Sequence, residues 1–106
     1  MNRYKTVVAT MIFVGLAALP MLAQSGGEST YKSKCAMCHA ADGSASSPVG
    51  KMMKVPSFLT PAAKKTSTAN YIAIVKNGKG KMPAYGGKLS DAEIKGVVAY
   101  IRTLQK

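Results

Sequence analysis

Histidine occurs once in these 106 residues, cysteine twice and acidic side chains four times. Each shortage excludes something. Two cysteines and one histidine leave a closed tetrahedral zinc site one protein ligand short. A disulfide between Cys35 and Cys38 would close almost no loop and constrain little of the unfolded chain. A thioredoxin-like dithiol normally follows a strand, and no convincing strand pattern precedes Cys35. The apolar run from Val7 to Leu19 is interrupted by Thr10 and Gly15 and stopped by Pro20, short of the roughly 20 residues that span a bilayer. Internal repeats and low-complexity tracts are also missing. With 15 Lys and Arg the formal charge is +11, yet aromatic residues do not interleave with the basic ones and there is no helix-turn-helix or RNA-binding pattern, which argues against nucleic acid as the partner.

What is present at the N-terminus has the three-part layout of a secretory signal. Arg3 and Lys5 precede the apolar run, and small or polar residues follow around Ala23 to Ser25. Residues 1–24 are therefore expected to be cleaved and residues 25–106 to form one domain, in the periplasm or another extracytoplasmic compartment such as a thylakoid lumen. No cysteine lies near the leader's end, so a lipid-modified N-terminus is not expected. About 80 residues give a marginal apolar core, at which size a staple or cofactor usually contributes. Without Arg3 and Lys5 the balance is 13 cations to 4 acids, a surface suited to steering toward acidic partners.

The cofactor is indicated by Cys35-Ala36-Met37-Cys38-His39. On a helix this spacing puts two thiols on one face about one turn apart, matching the two vinyl groups of one haem, with an imidazole beside them to reach the iron. His39 being the sole histidine, bis-histidine ligation within the chain is impossible, and the other axial position falls to methionine, lysine, water or nothing. Met1, Met11 and Met21 belong to the leader and Met37 is pinned between the cysteines, which leaves Met52, Met53 and Met82. Met82 lies in Asn77-Gly78-Lys79-Gly80-Lys81-Met82-Pro83, where glycines let the backbone pass close to a flat ligand and Pro83 keeps Met82 extended. Met82 is the expected ligand, and Met52 and Met53 read as apolar filler or exposed loop. A thioether suits low-charge iron and raises the reduction potential. With both axial positions filled, electron transfer is expected and catalysis is not. The alternatives are a labile sixth ligand serving a peroxidase-like enzyme or gas sensor, and an electron-delivery subunit of a larger oxidoreductase.

The patterning predicts three main helices. The first runs from about Glu28 into the cysteine segment. Ser44 to Pro61 reads as an irregular loop wrapping one side of the haem. The second helix runs from Ser67 or Thr68 to Lys76, with Tyr71, Ile74 and Val75 on one stripe and Asn77-Gly78 as its exit. After a Gly-rich loop, Ser90 and Glu93 form a capping box for the last helix, Leu89 can staple onto Ile94, and Ile94, Val97, Val98, Ile101 and Leu104 share a face. Long loops joining few helices imply an all-α fold organised around an enclosed group.

With these segments in this order the chain resembles the class I monohaem cytochromes c of the short bacterial and photosynthetic type. Gly27 and Tyr31 resemble that family's glycine and aromatic on the first helix, Tyr100 its aromatic on the last, and the resemblance implies that they meet where the two helices cross. It also implies one covalent haem c with His39 and Met82 as ligands, and a proline carbonyl accepting the second imidazole N–H. Pro48 is the candidate, with Pro56 as the alternative. Tyr71 either faces a propionate or the haem edge or is a core aromatic. Lys51, Lys54, Lys76, Lys79, Lys81 and Lys88 fall in or near the two loops and are expected to orient an acidic redox partner around the exposed haem edge, in transient complexes formed by a monomer.

Overall fold

The computed structural model describes the backbone of residues 19–106 and side chains from Gly26 onward, so most of the expected leader lies outside the described residues. Six helices follow one another: α1 (Leu19–Lys34), α2 (Ala36–His39), α3 (Pro48–Met52), α4 (Pro61–Lys65), α5 (Thr68–Asn77) and α6 (Asp91–Leu104). Among the described residues there is no strand, and a single antiparallel bridge joins Lys79 to Met82.

Capping chemistry sets most of the helix starts. The Ser90 hydroxyl accepts from the Glu93 N–H at 3.1 Å while the Glu93 carboxylate accepts from the Ser90 N–H at 3.0 Å, the reciprocal box expected for α6. Ser67 accepts from the Asn70 N–H at 3.1 Å to start α5. Two short helices interrupt what reads in sequence as irregular loop. Ser47-Pro48 and Thr60-Pro61 each place a hydroxyl at the cap and a proline at the first helical position, where its missing N–H costs nothing.

The core has two parts. Tyr71 and Val75 of α5 pack with Leu89 and with Ile94 and Val98 of α6; Tyr31 of α1 packs with Val97 and Ile101. Leu89 and Ile94 thus form the expected staple. α1 begins well before Glu28, and Gly26-Gly27 does not break it. The reason is contact: a Cβ on Gly27 would run into the Gly96 carbonyl of α6, so the two helices cross backbone to backbone there. One turn on, Tyr31 is fully buried, its ring 5.2 Å from that of Tyr100, and its hydroxyl donates to the Ala40 carbonyl at 2.7 Å.

The end of α6 is tied to the α4–α5 region by a polar network. Gln105 Nε2 donates to the Phe58 carbonyl at 3.0 Å and to the Tyr71 hydroxyl at 3.1 Å, and the Tyr71 hydroxyl donates to the Ala63 carbonyl at 2.6 Å. Arg102 donates to Gln105 Oε1 at 3.0 Å and to the Thr66 carbonyl, with its guanidinium 4.7 Å above the Tyr71 ring. A buried polar side chain is tolerated because each group finds a partner.

Candidate functional site

Cys35 sits at the bend between α1 and α2, and helical bonding continues through it, with the His39 N–H donating to the Cys35 carbonyl at 2.9 Å. Both thiols, free and half-buried, line a cavity of about 600 Å³, within the roughly 300–1,000 Å³ typical of ligand sites. The walls are mainly apolar: Val55, Pro56 and Phe58 from the loop after α3, Ile74 and Val75 from α5, and Val97 and Ile101 from α6. Burial, and after it the neighbouring Cys38, pushes the Cys35 thiol up to about 11.

His39 lines the same cavity. Burial holds its imidazole below the usual histidine range, so the ring is neutral and keeps a lone pair for a metal. Its Nδ1 is buried and has no hydrogen-bond partner among the described residues. The expected bond to the Pro48 carbonyl is therefore not formed in this structure. Pro48 is exposed at the first position of α3, where its carbonyl points along the helix axis, and it does not line the cavity; Pro56 does. The imidazole instead stacks on Phe58, centroids 4.4 Å apart and planes within 15°.

Ala40, directly after His39, holds φ 63° and ψ 160°, a region that is essentially glycine-only. Its carbonyl is fixed by Tyr31, which keeps it there. Ala40→Gly is expected to stabilise the folded protein by about 1 kcal/mol, the relieved strain of about 1–3 kcal/mol outweighing the added freedom of the unfolded chain. Denaturant unfolding of the wild type and variant checks the sign.

Met82 reaches the cavity from the chain after α5 and packs against the Tyr71–Val75–Leu89 cluster. Gly78 turns the chain out of α5 with φ +76°, and a Cβ there would press on the Met82 carbonyl at 2.8 Å. Lys79 and Met82 exchange backbone hydrogen bonds of 3.1 and 2.9 Å around Gly80-Lys81, and Gly80 with φ +56° supplies the positive angle that a two-residue turn needs first. Tyr85 then donates to the Val75 carbonyl at 2.9 Å, pinning the loop to α5. Met53 also lines the cavity, whereas Met52 is 74% exposed on α3.

Tyr71 is buried in the core and also lines the cavity. The lysines divide. Lys54, Lys79 and Lys81 line the cavity, joined by Lys34, which no sequence pattern singles out. Lys51 lies on α3 away from it, Lys76 pairs with Asp91 at 3.6 Å, and Lys88 rests 5.7 Å from the Tyr85 ring centroid. Phe58, Gly96, Arg102 and Gln105 also support the site without being expected to. Only Gly96 has a visible signal, since a glycine inside a helix costs about 1 kcal/mol against alanine and usually marks a close contact.

Two thiols one turn apart, a neutral imidazole with a free lone pair, a thioether from a distant segment and an apolar cavity between them fit one haem, and define a small helical protein built around that group. A family model described as "Cytochrome C oxidase, cbb3-type, subunit III" matches residues 23–101. Cytochrome c6 of Picosynechococcus sp. is 40% identical over 101 residues, covering 91% of this chain and 85% of the relative. Cytochrome c6 of Leptolyngbya boryana is 39% identical over 79 residues, covering 74% and 88%. Among solved structures, the KustC0563 c-type cytochrome superposes with a TM-score of 0.69 at 27% identity, covering 76% of this chain and 98% of that one. Cytochrome c6 of the diatom Phaeodactylum tricornutum gives 0.60 at 33% identity, covering 76% and 92%. The chain belongs to the small monohaem class I c-type cytochromes. Its fold is the all-α cytochrome c fold, its cofactor a covalently held haem c, and its work electron transfer with protein partners, not catalysis. No helix among the described residues is long and apolar enough to cross a membrane.

Proposed function

We propose that the protein is a soluble, monomeric single-electron shuttle of the periplasm or a comparable extracytoplasmic compartment, released by removal of residues 1–24, with one haem anchored by Cys35 and Cys38 and ligated by His39 and Met82. The observation that carries this reading is the cavity itself, on which four side chains from two segments distant in sequence converge. Bound there, haem supplies one-electron chemistry by cycling of its iron between two oxidation states.

The chain's residues do the rest. Cys35 and Cys38 hold the group on one helical turn, so it is neither lost nor exchanged. His39 donates a neutral nitrogen and Met82 a neutral sulfur, and the thioether favours the lower-charged metal state. Val55, Phe58, Ile74, Val75 and Tyr71 exclude water, which disfavours the more highly charged state further. Two protein ligands leave no position for a substrate, so nothing but an electron is exchanged. Lys34, Lys54, Lys79 and Lys81 supply a basic rim for an acidic redox partner, with Lys51, Lys76 and Lys88 further out.

Absorption spectra of native and denatured protein in both oxidation states test the assignment, since covalent attachment survives denaturation and methionine ligation does not. The docking reading has its own check. Partner reduction rates are expected to fall as salt rises through about 0.1 M, where the screening length is about 10 Å. Rates indifferent to ionic strength would deny the lysine rim a part in docking and leave the haem site untouched.

A further inference from the structure

We infer that Arg102 raises the reduction potential from behind the cavity wall, as a permanent positive charge that disfavours the oxidised state, in which the iron carries one more positive charge. The inference rests on haem occupying this cavity, as proposed above. Arg102 does not line the cavity itself but backs residues that do. Its guanidinium lies 4.7 Å from the centroid of the Tyr71 ring and donates through Nη2 to the Thr66 carbonyl, and both Tyr71 and Thr66 are wall residues. Ile101, its neighbour on α6, is another.

Two features set this cation apart from the lysines of the rim. It is held in place, with Nε donating to Thr68 Oγ1 at 3.3 Å and Nη1 to Gln105 Oε1 at 3.0 Å. It is also uncompensated, because every one of these acceptors is neutral. The four acids of the chain are engaged elsewhere: Glu28 with Lys32 at 2.9 Å, Asp91 with Lys76 at 3.6 Å, Glu93 in the capping box of α6, and Asp42 with the Ser44 hydroxyl at 2.6 Å. A guanidinium is weakly hydrated, which suits it to a partly buried seat over an aromatic ring, and it stays protonated at any pH the protein meets. Its N–H groups are thus satisfied while its charge is not cancelled. Tyr71, between that charge and the cavity, is buried, so the field crosses packed side chains, where a unit charge acts more strongly than through water. Salt screens the exposed lysines and reaches this group much less.

Reduction potentials of the holoprotein and four variants test the inference. Each protein is also given an absorption spectrum, which reports covalent haem and methionine ligation, and a thermal midpoint, which reports packing. Arg102→Met and Arg102→Gln remove the charge, the second keeping an amide donor for the Thr66 carbonyl. Arg102→Lys keeps the charge and loses the planar fork. Lys95→Gln removes an exposed charge from the same helix. Both neutral Arg102 variants are expected to shift the balance toward the oxidised state at least about threefold, about 28 mV at about 59 mV per tenfold, in low and in high salt. Arg102→Lys should lower the thermal midpoint as Arg102→Gln does, yet hold the wild-type potential, and Lys95→Gln should match the wild type in high salt. A potential unmoved in both neutral variants, or lowered as far in Arg102→Lys, overturns the inference and leaves the haem site standing. A wild-type spectrum without covalent haem rejects the site reading and the inference with it.

Discussion

Gly27→Val is expected to destabilise the protein by at least about 3 kcal/mol, a large share of the roughly 5–15 kcal/mol that a domain has to lose. The new Cβ would occupy the space of the Gly96 carbonyl oxygen and sit 2.6 Å from its carbon. Both are backbone atoms in mid-helix and cannot swing aside as a side chain would. α1 and α6 must separate, and the seats of Tyr31 and Val97, both fully buried, go with them. Its neighbour gives the control. A Cβ on Gly26 would meet nothing within 4 Å, and with residues 1–24 removed as proposed Gly26 is the second residue of the chain, so Gly26→Ala should be nearly neutral. Of these two adjacent glycines only substitution of Gly27 should therefore lower the thermal midpoint, by about 4–8 °C per kcal/mol in a domain of this size. Equal losses at both positions would show that the helix crossing is not what Gly27 serves.

The second large effect concerns Met82. On the proposed ligation, Met82→Ala removes the soft sulfur, and the reduced state should lose at least tenfold in stability relative to the oxidised state, about 59 mV for a one-electron couple. The same change opens a coordination position, so the reduced variant should bind carbon monoxide at neutral pH where the wild type does not. The loop is expected to survive, because the exchanged hydrogen bonds between Lys79 and Met82 and the anchor from Tyr85 to Val75 use only backbone atoms. An unchanged potential with no carbon monoxide binding would place the sixth ligand elsewhere, with Lys79 and Lys81 the nearest candidates in sequence.

Features written in a few consecutive residues are legible in the amino-acid sequence alone. Cys35 to His39 names its chemistry through spacing, and Ser90 with Glu93 announces a helix start within a single turn. Ser47-Pro48 and Thr60-Pro61 are equally local, but lie in a stretch whose Ser, Pro, Lys and Met content reads as loop, so two short helices go unpredicted. Pro48 shows a different limit: a proline after the histidine is easily seen, but whether its carbonyl faces the imidazole depends on the helix it opens. The lysines show another, since charge fixes number but not direction, and Asp91 claims Lys76 across the loop. Phe58, Arg102 and Gln105 owe their roles to partners that are mostly 30 or more residues away, and no periodicity marks them.

The latch formed by Gln105 has a temporal side. The attachment segment precedes Gln105 by some 70 residues, so in a chain that emerges N-terminus first the thiols are available while the wall opposite has nothing to hold it shut. Capture can thus precede closure, and a chain truncated before Arg102 would retain every anchoring and ligating group while leaving Phe58 and Tyr71 unbolted.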